Sequence, residues 1–167
     1  MKQLTFILTL CFSIALTSFV IFDRENIIKM LEEYIELNRQ HSEAFHNKEF
    51  DKQKEIDKEI DLLHEDKFLP ALKEIENIFC DTKDKKLLDT YVVMLEVIGH
   101  SASEAPRWAF GKMYTCHPYM VLEAIHKSDN KQQVFGDLGF GFENVIYTID
   151  TTNLDINSLR KGIKELK

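Results

Sequence analysis

The sequence LLDTYVVMLEVI spans Leu87 to Ile98 and sets the organisation of the rest of the chain. Between Tyr91 and Ile98 the only polar residue is Glu96. A helix that is apolar on nearly every side has to be buried on nearly every side. Gly99 follows directly, as is typical at the C-terminus of a helix. We therefore expect this helix to lie at the centre of the hydrophobic core.

Apolar residues spaced three and four positions apart predict further helices on both sides of this segment. The chain has only 6 Gly and 3 Pro in 167 residues, so the turns that a many-stranded β protein requires are scarce. The other helical patterns cover Asn26 to about His46, Phe50 to Glu65, Leu69 to Ile78, Ser103 to Cys116, Pro118 to Ile125, Lys131 to Thr148 and Leu159 to Leu166. The predicted fold class is therefore all-α.

The helices are short and predict antiparallel hairpins packed as one domain, loosely like a HEAT or armadillo stack. Residues 23–66 form a charged hairpin with a thin apolar seam, turning at Asn47-Lys48-Glu49. Residues 67–167 form a compact apolar body. Gly136 and Gly139 are expected to let a neighbouring helix pack closely, or Gly139 to Gly141 to form a kink.

The N-terminal residues 1–22 have the layout of an export signal. Leu4 to Phe22 hold 19 residues without a charge, preceded by Lys2 and followed by Asp23. Ser13-Ile14-Ala15 offers the small residues that a signal peptidase requires, which favours cleavage. The apolar run continues to Phe22 and is long enough to span a bilayer, which favours an uncleaved membrane anchor.

Both fates of this segment place the rest of the chain outside the cytoplasm, because Lys2 stays on the cytoplasmic side. A lipoprotein at Cys11 is a third possibility, but Leu10 is too bulky for the position before the modified cysteine. We expect a periplasmic or other extracytoplasmic protein. Contact with the membrane is expected only through residues 4–22, if they remain attached.

The expected export bears on the oxidation state of the cysteines. If Cys11 belongs to the export segment, the mature chain keeps Cys80 and Cys116, and an oxidising compartment favours a disulfide between them. The alternative is two separate buried thiols. A disulfide also makes a nucleophilic Cys116 less plausible.

Glu-x-x-His motifs are the candidates for a metal site, because this spacing puts a carboxylate and an imidazole on one helix face. The motif occurs at Glu43 with His46 and at Glu123 with His126. In a chain with 28 acidic residues it also arises by chance, as Asp61 and His64 show. The candidate ligands for such a site are Glu123, His126, Glu96, His100 and Glu104.

Aromatic residues are the candidates for a partner-binding surface, although such residues more often fill a core. Four of them cluster within a dozen residues, and this cluster comprises Trp108, Phe110, Tyr114 and Tyr119. They would form a stacking platform or an anchor for another protein.

No motif fixes a reaction or a cofactor. The chain has no Gly-x-Ser-x-Gly, and the glycines from Gly136 to Gly141 lack the context of a phosphate loop. The formal charge of −7, without a cluster of Lys and Arg, argues against nucleic acid. We expect a non-enzymatic, exported helical module that binds another protein, in one version an immunity-type or inhibitor protein that presents carboxylates to a basic partner. The alternative is a metal-binding helical protein.

Overall fold

The computed structural model describes residues 22–98 and 104–165, and these residues are helical without any strand. This confirms the predicted all-α fold class. The predicted export segment (except Phe22), Gly99, His100 and the expected helix start at Ser103 lie outside the described residues. The elements are α1 (Arg24–His46), α2 (Phe50–Leu63), a π-helical turn (His64–Phe68), α3 (Leu69–Thr82), α4 (Lys85–Ile98), α5 (Glu104–Cys116), α6 (Pro118–Lys127), α7 (Lys131–Val145) and α8 (Ile156–Glu165).

Helix α4 lies at the centre of the core, as its sequence predicted. It packs against α1 on one side and against α6 and α7 on the other. The hydroxyl of the fully buried Tyr91 donates a hydrogen bond of 2.8 Å to the Pro106 carbonyl, so its one polar group has a partner. The buried residues of α4 are Leu87, Leu88, Tyr91, Val92, Met94, Leu95 and Ile98.

The first half of α1 fastens the N-terminal hairpin to the body. Ile27 and Leu31 are completely buried. The Arg24 guanidinium pairs with Asp84, whose carboxylate also accepts a hydrogen bond of 3.0 Å from the Leu87 backbone N–H at the start of α4. The hydrogen bond from Arg24 holds the pKa of the Asp84 carboxyl below its usual value. One carboxylate therefore caps α4 and ties α1 to it.

Pro70 does not end the helical path from Phe50 to Thr82. Proline has no backbone N–H, and in a helix interior its ring clashes with the carbonyl four residues earlier. The π-helical turn precedes it, and the Leu69 N–H donates to the carbonyl of His64, five residues back. This wider turn accommodates the proline and directs the completely buried Phe68 into the core.

Helices α5 and α7 cross at a glycine pair. A Cβ atom built on Gly141 would lie 1.8 Å from the Arg107 carbonyl oxygen, and one built on Gly111 would lie 2.3 Å from the Gly141 carbonyl carbon. A Cβ on Gly136 or Gly139 would have nothing within 4 Å. The expectation of close packing at Gly136 and Gly139 was therefore wrong. The contact is made at Gly141, because the partner helix presents a second glycine there.

The predicted disulfide is present. Cys80, near the end of α3, is bonded to Cys116, the last residue of α5, with 5.4 Å between their Cα atoms. The Nε2 atom of His117 lies 2.8 Å from the Cys80 carbonyl oxygen and donates to it. The disulfide joins the C-terminal ends of α3 and α5, two helices that also pack together.

The glycine crossing predicts opposite effects for two Gly→Ala variants in α7. Gly141→Ala forces α5 and α7 apart, and we expect it to lower the free energy of unfolding by about 2 kcal/mol or more, as overpacking does. Gly136→Ala, with open space around its Cβ, should raise that free energy by about 0.5–1 kcal/mol, because glycine weakens a helix interior. Urea denaturation followed by circular dichroism measures both. Equal effects of the two substitutions on the free energy of unfolding would contradict the close contact of α5 and α7 at Gly141.

The disulfide predicts a loss of stability when both cysteines are replaced by serine. A bond between residues 36 apart restricts the unfolded chain, so Cys80→Ser/Cys116→Ser should cost about 3–4 kcal/mol. Denaturation of the oxidised protein and of the double variant gives the difference. Mass spectrometry after alkylation without reductant is the control, and alkylation of both thiols in the native protein would contradict the bond.

Candidate functional site

A cleft of about 370 Å³ lies between the N-terminal hairpin and the C-terminal end of α4. We call it the hairpin cleft. Its walls belong to α1, α2, the π-helical turn and α4, so it exists only while the hairpin is docked on the body. The lining residues are Tyr34, Asn38, His41 and Ser42 from α1, Asp57, Ile60 and Asp61 from α2, His64 from the π-helical turn, and Val97 and Ile98 from α4.

Helical spacing explains how these side chains come to face one another. On α1, Tyr34, Asn38 and His41 follow one another at intervals of four and three residues, which places them on one face. Asp57 and Asp61 on α2, and His64 at the start of the π-helical turn that continues it, repeat the same intervals. The two helices run antiparallel and pack along their length, so the two polar faces meet.

The turn between the helices sets their pairing. Lys48 adopts a left-handed conformation with φ of 62°, and the Glu49 N–H donates a hydrogen bond of 2.8 Å to the Ala44 carbonyl. Ala44 is completely buried, which lets α1 and α2 approach closely beside the turn. The predicted turn at Asn47-Lys48-Glu49 is confirmed.

Two contacts between the helices order the cleft. His41 Nε2 lies 2.9 Å from a carboxylate oxygen of Asp57. The Tyr34 hydroxyl lies 3.1 Å from Nδ1 of His64. The Tyr34 ring also stacks on Phe68, with centroids 5.1 Å apart, and on His64, with centroids 5.9 Å apart. One end of the cleft is therefore an aromatic cluster anchored in the core.

Tyr34, at the aromatic end of the cleft, has a raised pKa. Burial, together with the charge of the Asp61 carboxylate, raises the pKa of Tyr34 to about 12. A nearby negative charge opposes the formation of a phenolate and so raises the pKa of a tyrosine. The Asp61 carboxylate therefore acts on the aromatic end of the cleft.

The cleft carboxylates lack the basic partners that other acidic side chains have. Among residues 22–98 and 104–165, the Asp57 carboxylate has an ion pair only with His41, and the structure gives Asp61 no ion pair with a lysine or arginine. By contrast, Glu76 pairs with Lys112 at 2.7 Å, and Glu143 pairs with Arg160 at 2.7 Å. Within the described residues, the two cleft carboxylates therefore have no ion pair with a lysine or an arginine.

The four predicted metal ligands that the structure describes are not gathered into one site. Glu123 is exposed and pairs with Lys127, whose hydrogen bond lowers the pKa of the Glu123 carboxyl. His126 is exposed, with its ring edge-on to Phe135. Glu96 accepts a hydrogen bond of 3.1 Å from the Asp129 backbone N–H.

Glu104 is exposed at the start of α5, and His100 lies outside the described residues. In the part of the chain that the structure describes, no group of three or more His, Cys, Asp or Glu side chains is arranged to hold a metal ion. The described geometry therefore offers no support for the metal-binding alternative.

The four predicted partner-binding aromatics divide into two pairs. Phe110 and Tyr114 are buried in the core, and the Tyr114 hydroxyl donates a hydrogen bond of 2.9 Å to the Leu159 carbonyl. Helical spacing directs both inward with Met113, although Tyr114 also reaches the wall of a cavity of about 540 Å³ that Tyr119 lines as well. Trp108, 44% exposed, and Tyr119, 87% exposed, remain at the surface.

The hairpin cleft was missed by sequence reasoning, which treated Asp61 and His64 as a chance pair. A signal was present. The intervals of four and three residues from Tyr34 to His41 recur from Asp57 to His64, on two helices already predicted to form a hairpin. A polar stripe on both facing surfaces of a hairpin indicates a cleft between them, because buried polar groups require partners.

Comparisons with known proteins leave the function to be argued from this geometry: no family model, no curated protein and no solved structure matches the chain. In residues 22–98 and 104–165, none of the helices has the length and apolar character needed to cross a membrane.

The raised pKa of Tyr34 predicts a specific loss of stability in alkali. An unfolded tyrosine loses its proton near pH 10, whereas the folded Tyr34 retains it to about pH 12. Between these values the folded state binds more protons, so the free energy of unfolding falls as the pH rises. In the Tyr34→Phe variant, the free energy of unfolding measured by urea denaturation should fall less steeply across this pH range than in the native protein. Parallel curves for the two proteins would contradict the assignment.

Proposed function

We propose that this protein is an exported interaction module that binds another protein of basic surface through its N-terminal hairpin, in the manner of an immunity-type or inhibitor protein. The observation that carries the proposal is the outer half of the hairpin. Beyond Ile35, α1 buries only Ala44, and α2 buries only Ile56 and Leu63. This part of the hairpin is presented to solvent instead of being covered by the body.

Two large aromatic side chains lie on either side of the hairpin turn. Phe45 is 57% exposed and Phe50 is 58% exposed. We call this pair the hairpin tip. Aromatic residues are among the side chains that contribute most when they are buried at a protein interface. Their exposure together at a projecting turn supports a role as anchors for a partner.

The charge of the hairpin indicates the kind of partner. Between Arg24 and Leu63 the chain has 11 acidic and 7 basic residues. An acidic surface accelerates association with a basic one and rejects acidic partners. The two cleft carboxylates without a lysine or arginine partner add to this field close to the tip. A protein with a basic surface is therefore the occupant that the hairpin suits.

The proposed compartment rests on the sequence of residues 4–22, with support from chemistry in the folded part. A disulfide between Cys80 and Cys116 is stable in an oxidising compartment and is unusual in the reducing cytoplasm. Export would place the hairpin where it can meet a secreted or incoming basic protein. The module works either free or tethered through residues 4–22, since the hairpin lies downstream of that segment.

The proposal predicts that a partner depends on the hairpin tip. The full chain and the Phe45→Ser/Phe50→Ser variant serve as baits in the envelope fraction of the source cells, at about 50 mM salt, where surface charges are weakly screened. We expect one stoichiometric basic partner on the native bait, with binding weakened at least tenfold in the tip variant. Raising the salt to about 300 mM should weaken binding further.

Tyr147→Ser is the matched control, because Tyr147 is 82% exposed and lies outside the hairpin. It should bind the partner as the native protein does. A partner that binds the tip variant equally well contradicts the proposal. The absence of any stoichiometric partner at low salt also contradicts it.

A further inference from the structure

The hairpin cleft combines two features that recognise one type of side chain. Asp57 and Asp61 stand one helical turn apart on α2, on the same face. The half-buried Ile60 of the same helix and Val97 of α4 provide apolar surface in the cleft, beside the aromatic cluster of Tyr34. A ligand that fits must carry a positive charge at one end and an apolar stem behind it.

The carboxylates retain capacity to accept hydrogen bonds. A carboxylate offers two oxygens with about four lone-pair positions in all. One oxygen of Asp57 faces His41 at 2.9 Å, which leaves the second oxygen free of that contact. Within the described residues, the structure gives the Asp61 side chain neither an ion pair nor a hydrogen bond.

A guanidinium group matches this arrangement better than an ammonium group. Its planar fork presents five N–H donors, forms paired hydrogen bonds with carboxylates and stacks on aromatic rings. Its three-carbon stem packs against apolar surface while the charge meets the carboxylates. The volume of about 370 Å³ is at the lower end of the range for small-molecule sites, which suits a single long side chain.

We propose that the hairpin cleft receives an arginine side chain displayed by the protein partner. This inference rests on the proposed function for its occupant and extends it by naming the group that the hairpin recognises. The guanidinium lies between Asp57 and Asp61, and the stem lies along Ile60 and Val97. The hairpin tip then provides apolar anchoring beside this charged contact.

The test uses capped arginine, N-acetyl-arginine amide, as the probe for the side chain. It is titrated into the isotope-labelled protein, and amide shifts are followed by NMR. We expect saturable shifts concentrated at the cleft, for example at His41, Asp57 and His64. The uncharged analogue N-acetyl-citrulline amide should give no such shifts, and N-acetyl-lysine amide should bind at least about threefold more weakly because it lacks the planar fork.

Charge-matched variants of α2 separate a site from a diffuse acidic surface. Asp57→Asn/Asp61→Asn should weaken arginine binding at least tenfold. Glu55→Gln/Glu59→Gln removes the same charge from the same helix outside the cleft and should change binding less than twofold. Thermal unfolding followed by circular dichroism is the control that checks whether both double variants remain folded.

Three results would overturn the inference: shifts spread over the acidic surface, equal weakening by both double variants, or binding of lysine as tight as that of arginine. No shifts up to the highest probe concentration would overturn it as well. The inference and the proposed function can fail separately. If a partner depends on the hairpin tip but binds the Asp57→Asn/Asp61→Asn variant normally, only the arginine site is contradicted. If capped arginine binds in the cleft but no envelope partner is found, only the proposed function is contradicted.

Discussion

The burial of α4 is the constraint on which the arrangement of the other helices depends. A segment with only one polar residue between Tyr91 and Ile98 has to be covered on nearly all sides. Helices α6 and α7 cover one side, and α1 covers another with Ile27 and Leu31. Because the first half of α1 supplies most of this cover, most side chains of its second half and of α2 are left outside the core. The projecting hairpin is thus a consequence of how α4 is buried.

Specific contacts then fix the positions that apolar burial leaves open. The apolar stripe of α1 could slide along α4, but the ion pair between Arg24 and Asp84 ties the first residue of α1 to the first turn of α4. On the other side, the glycine pair lets α5 and α7 approach closely, and an ion pair of 2.9 Å between Arg107 and Asp137 joins the same two helices. The hairpin cleft depends on the first of these contacts, because α1 forms one wall and α4 another.

Local sequence signals predicted the helices well, because capping residues, periodicity and proline positions act within a few residues of each other. The central place of α4 and the turn at Asn47-Lys48-Glu49 were predicted in this way, whereas the disulfide was predicted from the expected oxidising compartment. The glycine crossing was misplaced, since choosing Gly141 over Gly136 requires knowing that Gly111 lies opposite. The division of the aromatics into Phe110 and Tyr114 inside, with Trp108 and Tyr119 outside, likewise depends on which face of α5 and α6 meets the core.

The cleft shows why a site is harder to predict than a fold. Its carboxylates and histidines are ordinary residues of a charged hairpin. They form a cleft only because α1, α2 and the end of α4 converge. The π-helical turn before Pro70 contributes to this convergence, because it places His64 at the cleft while Phe68 enters the core. The carboxylates of Asp57 and Asp61 therefore lie beside the buried aromatic rings of Tyr34 and Phe68. Side chains held in this way need little further ordering when a partner binds, which favours recognition of one specific group.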